Sequence, residues 1–407
     1  MRILRICHSA VVDEYRERER KLHGQYGHDV HVVCPPVWEE GGQLVRPTLD
    51  DELPVHLVPI SGRRQPNLFW YRMPELRAVI RSVRPEIIDV HEEPYSLAAG
   101  FALRAAGLES PEAKICVYTA QNLDRRYPPP FSWIERRVLR SASAAYPCSV
   151  EAGERLRARG FMGPISVLPL GVTLPAPAPR APGPPRVGFV GRFEPYKGGM
   201  IALRAYMAAA ATGDAVLEVI GDGSQAAAMR AAAGGPAAMR AAAGGSTAAE
   251  RVVFTGALSQ GDTLERIGHL DILLVPSLST PTWKEQFGRV AAQAMAAGVA
   301  VVASDSGSLR EVVGDAGILV REGDVGAFTE ALRGLLDDPA RRVALGERGR
   351  RRASEKFSWD AVAAGVDEMY REMAESGARV RPARSAPPSR CPATDLRSLE
   401  DRTYQRK

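Results

Sequence analysis

The chain has 407 residues, 45% hydrophobic and 25% charged, a soluble globular balance that excludes a fibrous or wholly disordered protein and leaves room for two or three domains. Its 53 basic and 48 acidic side chains give a net charge of +5, a mild excess that hints at an anionic partner without placing it. Five scattered cysteines, Cys7, Cys34, Cys116, Cys148 and Cys391, form no C-x-x-C, which argues against disulfide frameworks and zinc sites and fits a reducing, cytoplasmic compartment.

Short Val/Ile/Leu runs alternate with amphipathic ones, the pattern of βαβ units and a parallel sheet. In the first half the spacing predicts strands at Ile3–Cys7, Asp29–Val33, Val55–Pro59, Ile87–His91, Ile115–Thr119, Ala144–Ser149 and Ser166–Leu168, with helices such as Asp13–His23 and Met73–Val83 between them. The opening Met1–Ile6 turns polar at His8, so it lacks the apolar core of a signal peptide. Residues 175–185, rich in proline, can continue neither a helix nor a central strand and read as a linker. The alternation restarts with strands at Arg186–Val190, Val216–Ile220, Arg251–Thr255, Ile272–Val275, Ala300–Ser304 and Ile318–Val320, then helices at Val325–Leu336, Arg341–Lys356 and Trp359–Met373. The expected architecture is α/β. A first Rossmann-like domain spans 1–174 and a second 186–356, joined by the linker, with a closing helix at 357–376 and a disordered basic tail at 377–407. Ligands of such open sheets bind beyond the carboxyl ends of the strands, here in the cleft between the domains. The segment Ala227–Gly235 recurs identically at Ala237–Gly245, a duplication read as neutral lengthening of a surface helix. No apolar run reaches the ~20 residues of a membrane span; Val290–Ala303 comes nearest and is interrupted by Gln293 and Gly298.

Four strand ends carry polar residues. His91 closes one, in His91-Glu-Glu-Pro-Tyr95, and Gln121 with Asn122 closes another. Gly191-Arg192 followed by Lys197-Gly198-Gly199 joins a strand to a helix start and offers free N–H groups and fixed cations, which is what phosphate oxygens require. A βα turn with two solvated bases is the plainer alternative for that segment. Pro276–Gly288 is a polar loop before an Ala-rich, charge-poor helix that is expected to be buried with its N-terminus in the cleft. Glu285 in that loop is a lone carboxylate near the helix N-terminus, either functional or a simple cap.

Taken in order, these segments resemble family 4 glycosyltransferases of GT-B fold, two Rossmann-like doubly wound domains facing each other across a cleft. The resemblance rests on Gly191-Arg192 with Lys197-Gly198, Ile220-Gly-Asp-Gly223, Val253-Phe-Thr-Gly256, Asp271–Ser277, Glu285-Gln-Phe-Gly288 with Ala294-Met-Ala-Ala-Gly298, and Val301–Gly307 with Glu311–Gly317. It implies a retaining transfer from a UDP- or GDP-sugar, used as co-substrate, to a hydroxyl of a glycan, lipid-linked or small-molecule acceptor, with no other cofactor and no metal. Arg192 and Lys197 would hold the donor diphosphate and Glu285 the sugar hydroxyls. Gly191, Gly221 and the backbone of Gln286, Phe287 and Gly288 would line the donor site. His91, Gln121 and Asn122 would face the acceptor. Three features depart from the family pattern, one being that the glycine-rich turn often found after the first strand reads here as His8-Ser-Ala-Val-Val-Asp13. Gln293 stands where the signature has its second acidic residue, which weakens nucleotide binding by removing a charge-assisted bond. Gln121 stands where many members have a histidine.

Two other functions compete with transfer: a catalytically weakened nucleotide-sugar-binding homologue or partner subunit, and another GT-B enzyme such as a nucleotide-sugar epimerase. No nucleic-acid-binding motif is present. The charge has a definite place. Residues 377–407 hold eight basic and three acidic groups, a surplus equal to the net charge of the whole chain, and the other 376 residues carry 45 of each. Peripheral attraction to a membrane would therefore fall to the tail, for which plain solvation is the simpler reading.

Overall fold

The computed structural model describes residues 1–376 apart from 41, 50–51, 177–182, 212 and 235–247. The middle of the Pro-rich segment, the second copy of the duplicated segment and the tail lie outside the described residues.

Sixteen strands are present among the described residues: β1 (Arg2–Ile6), β2 (Asp29–Cys34), β3 (Trp38–Glu40), β4 (Gln43–Val45), β5 (Val55–Leu57), β6 (Ile60–Gly62), β7 (Phe69–Tyr71), β8 (Ile87–Val90), β9 (Lys114–Thr119), β10 (Ala144–Pro147), β11 (Arg186–Val190), β12 (Val216–Ile220), β13 (Val252–Gly256), β14 (Ile272–Val275), β15 (Ala300–Ser304) and β16 (Ile318–Val320). Two six-stranded parallel sheets result, ordered β10-β9-β8-β1-β2-β5 and β13-β12-β11-β14-β15-β16. Each starts at a central strand and reverses direction beside it, so each has its switch point at its first strand: β1 between β2 and β8, β11 between β12 and β14. Helices cover both faces, which is why β8, β10, β14 and β15 are buried along their whole length.

Local chemistry sets the helix limits. Met73–Val83 begins with Pro74 in its first turn and buries Leu76, Ile80 and Val83 on one stripe. It stops at Arg84, which turns left-handed (φ 50°) before Pro85. The last helix, Trp359–Glu375, is capped by Ser358, whose hydroxyl accepts from the Ala361 N–H at 3.1 Å. It follows a helix of the second unit, yet Val362, Ala363, Val366, Met369, Tyr370 and Met373 pack into the core of the first. Lys114 ties down its far end by donating to the carbonyls of Met373, Ala374 and Ser376.

Two sequence expectations need correction. Ser166–Leu168 is not a strand. It runs beside β10 with bonds from Ser166 N to Ala145 O and Leu168 N to Pro147 O, but Pro164 and Pro169 flank it and deny it further donors. Asp13–His23 is helical only from Glu17, because the chain first crosses the strand ends in two 3-10 turns, His8–Val11 and Asp13–Arg16. Two antiparallel hairpins, β3–β4 and β6–β7, lie in stretches with no legible alternation.

Candidate active site

The glycines come first, because they let separate strand ends meet. Gly191 follows β11 and Gly221 follows β12, and a Cβ on Gly221 (φ 132°) would fall 2.0 Å from the Gly191 carbonyl oxygen. A Cβ on Gly198 (φ 72°) would fall 1.9 Å from the Pro276 oxygen. The Lys197 turn is therefore pressed against the end of β14, and only glycine permits that approach.

That contact brings Lys197 to Glu285. The Lys197 Nζ donates to Glu285 Oε2 at 2.8 Å, and Ser277 Oγ donates to the same oxygen at 2.9 Å. Glu285 is 8% exposed. Lys197 also lies over the Trp283 ring, 4.6 Å from its centre, and Trp283 stacks on Tyr196 at 4.3 Å. Arg192 faces the Tyr196 ring at 5.7 Å, so it shares the aromatic stack but touches neither Lys197 nor Glu285. Arg192 is exposed and makes no ion pair among the described residues.

The loop after Glu285 is clamped through its carbonyls. Glu285 O accepts from Asn122 Nδ2 at 2.8 Å and from Ser308 N at 3.1 Å. Gln286 O accepts from Ser308 Oγ at 2.5 Å and from the Cys148 thiol at 3.5 Å. Phe287 is buried edge-on against Phe357 at 5.7 Å. Gly288 (φ 81°) then opens the helix Arg289–Ala296. With the carbonyls held, the N–H groups of Gln286, Phe287 and Gly288 donate to no acceptor among the described residues. They precede a helix N-terminus, so the arrangement suits an anion or a ring of hydroxyls. Gln293 is half-buried on that helix and makes no side-chain hydrogen bond among the described residues.

On the first unit the three predicted residues part company. Asn122 reaches across the cleft, as above, and its Oδ1 is buried without a partner. Gln121 stays within its own loop: its Nε2 donates to Tyr127 OH at 2.9 Å and its Oε1 accepts from Leu123 N at 2.9 Å. His91 stacks on Tyr118 at 3.9 Å, and its Nδ1 lies 2.9 Å from Tyr146 OH, which itself donates to Asp89. The hydroxyl proton being committed to Asp89, Nδ1 carries the proton and the imidazole is neutral. Burial, helped by the nearby charges of Arg5 and Arg18, holds its pKa well below the ordinary range.

Sequence reasoning missed the groups that orient these side chains. Ser277 stood in a recognised segment without a role. Trp283, Tyr196 and Ser308 lay in or beside recognised segments and carried no signal of their own. His8, bonded to Glu92 Oε2 at 2.6 Å, was hidden because its partner is 84 residues away. No group of three or more His, Cys, Asp or Glu placed to hold a metal ion occurs among the described residues, and none of their helices is long and apolar enough to cross a membrane.

Two Rossmann-like units with a basic turn, an acidic loop and a helix N-terminus at the cleft define a GT-B glycosyltransferase fold. Comparison with known proteins agrees. Residues 20–174 match the model described as Glycosyltransferase Family 4, and residues 184–338 match Glycosyl transferases group 1; the chain belongs to the family 4 glycosyltransferases. A phosphatidyl-myo-inositol mannosyltransferase of Mycobacterium leprae is 33% identical over 215 residues, covering 50% of this chain and 52% of that protein. An MMP alpha-(1->4)-mannosyltransferase of Mycolicibacterium hassiacum is 40% identical over 119 residues, 28% of each. The chain thus spans about a quarter to a half of the curated relatives it matches first. Among solved structures, Anabaena HepE in complex with UDP superposes with a TM-score of 0.66 at 15% identity, over 91% of this chain and 100% of that one.

Proposed function

We propose that the protein transfers a hexosyl group from a UDP- or GDP-sugar to an acceptor hydroxyl with retention of configuration. The observation that carries this reading is the meeting of Lys197 and Ser277 on one oxygen of Glu285, beside three free backbone N–H groups at a helix N-terminus. The HepE structure, which holds UDP, and the mannosyltransferase relatives support it. Lys197 and Arg192 take the donor diphosphate, Glu285 takes sugar hydroxyls, and the Gln286–Gly288 amides take the remaining oxygens. The bond from the anomeric carbon to the phosphate oxygen breaks with its electron pair going to phosphate. The acceptor oxygen bonds to the same face of that carbon, and its proton passes to the leaving phosphate. Cations and amides aimed at the developing charge supply most of the stabilisation in such a step. No chemistry passes through Gln121, whose amide is committed to its loop. Donor binding replaces the Lys197–Glu285 contact with one from each residue to the donor.

Lys197→Ala and Glu285→Ala are each expected to lower turnover by about 10²–10³ with the circular dichroism spectrum unchanged. Wild-type turnover in folded Lys197→Ala would overturn the diphosphate assignment. The unmade bonds of Gln293 favour a second reading, a nucleotide-sugar-binding homologue without transfer. Nucleotide binding in the absence of any sugar transfer would establish that one instead.

A further inference from the structure

A small cavity lies where the first unit, the crossover and the closing helix meet the start of the Arg289–Ala296 helix. It measures about 40 Å³ and is lined by Arg5, Ser9, Tyr15, Arg18 and His91 of the first unit, by Arg289 of the second, and by apolar residues of the crossover and the closing helix. At ~10–15 Å³ per water, that space admits about three waters, or one carboxylate or phosphoryl group.

Its charges do not balance. Arg5 pairs with Glu19, and Arg18 pairs with Glu19 and with Asp89 at 2.6 Å. These four groups are all at least nine-tenths buried, and they cancel. Arg289 is the third guanidinium and has no ion pair among the described residues; it lies over the Tyr15 ring at 4.2 Å. Glu14, next in the chain to Tyr15, spends its oxygens on Thr173 and Gln260. In addition Arg5 Nε, on a residue 4% exposed, is buried with no partner. A partly buried cation and an unpaired buried N–H both carry a desolvation cost that an anionic oxygen would relieve.

The cavity also has a fixed relation to the proposed chemistry. Arg289 is four residues from Glu285, so their Cα atoms are no more than ~14 Å apart. Most of the lining comes from the first unit.

We propose that this cavity receives one singly charged anionic group, phosphoryl ester or carboxylate, carried by the acceptor. The inference rests on the transferase reading for the word acceptor; the anion site stands on its own geometry. Arg289 supplies a two-pronged contact, Arg5 Nε a third donor, and the Ser9 and Tyr15 hydroxyls lie within the same lining.

The test titrates dimethyl phosphate and, separately, acetate into the full chain saturated with UDP or GDP, at constant ionic strength, reading the melting temperature. A saturable rise with one of the two is expected, and the effective anion names the group. Arg289→Gln should weaken the apparent affinity at least about tenfold, and Arg289→Lys, which keeps the charge but not the fork, by several-fold. Lys197→Ala should leave the response in place. No saturable rise, a rise indifferent to Arg289, or a rise lost in Lys197→Ala would overturn the proposal, the last by assigning the anion to the donor site. The nucleotide's own effect, recorded without anion, judges the donor reading separately.

Discussion

At Glu93 burial and hydrogen bonding pull in opposite directions. Burial raises the carboxyl, and the Thr119 hydroxyl at 2.6 Å and the Ala120 N–H at 2.9 Å oppose it; the result is a pKa of about 7. A carboxyl whose folded pKa lies above its unfolded one stabilises the fold below the unfolded value, near 4.5. That contribution is lost as pH rises through 7. Glu93→Gln removes the titration, whatever constant effect it has on the two bonds. Melting curves should therefore show the variant gaining on the wild type between pH 5 and pH 8, by about 2–4 °C for each kcal/mol of linkage. A difference that stays flat across that range would show that Glu93 is not titrating there. The same residue marks a limit of reading from sequence. Arg192, Lys197 and Glu285 were legible because their neighbours form patterned segments. Glu93 and Ser277 owe their surroundings to other strand ends, which only folding brings near.

At the scale of elements, legibility follows local stop signals. The predicted limits of Met73–Val83 and Val325–Leu336 coincide with the observed helices, since Pro74 and Asp324 mark their starts. The hairpins β3–β4 and β6–β7 have three residues per strand, too short for a period to show. The closing helix was legible as a helix, but its main anchor was not. Tyr370 is fully buried and donates to Asp89 Oδ2 at 2.8 Å, 281 residues back, beside the Arg18 contact to the same carboxylate. Tyr370→Phe keeps the ring and deletes only the donor. It is expected to cost about 1–2 kcal/mol, read as a lower urea midpoint with unchanged slope. Gly171→Ala acts on the same seam through shape, since its Cβ would fall 2.1 Å from the Trp359 ring; it should destabilise through overpacking by about 1–3 kcal/mol.

For the whole molecule the decisive feature is that polar contacts close the cleft beside an apolar cluster that includes Cys148, Val172, Phe287 and Phe357. Asn122 bonds the Glu285 carbonyl, Arg125 the Thr282 carbonyl, Glu311 the Val150 N–H at 2.9 Å, and Lys284 pairs with Glu151 at 2.7 Å. The exposed members, those of Arg125 and Glu311, contribute ~0–1 kcal/mol each and weaken with salt. Two units held this way are expected to open and close, with small energies deciding the balance. None of this was legible in sequence, because three of the four contacts end on backbone groups, which every residue carries. Asn122 is the informative member: it is buried, it belongs to the first unit, and it grips the loop proposed to hold the donor in the second. Removing it should loosen closure without touching the donor groups themselves. Small-angle scattering of Asn122→Ala should show a larger radius of gyration than the wild type, growing as salt is raised from about 0.05 to 0.5 M. Saturating UDP or GDP should shrink it again, if the nucleotide binds the loop in its closed form. The apparent nucleotide affinity should fall about three- to tenfold, the share of binding energy diverted to closure when a bond of ~1 kcal/mol is lost. A radius that ignores both the substitution and the nucleotide would mean that the units are locked by the closing helix and its buried Asp89–Tyr370 contact, with the cleft contacts merely decorating a rigid body.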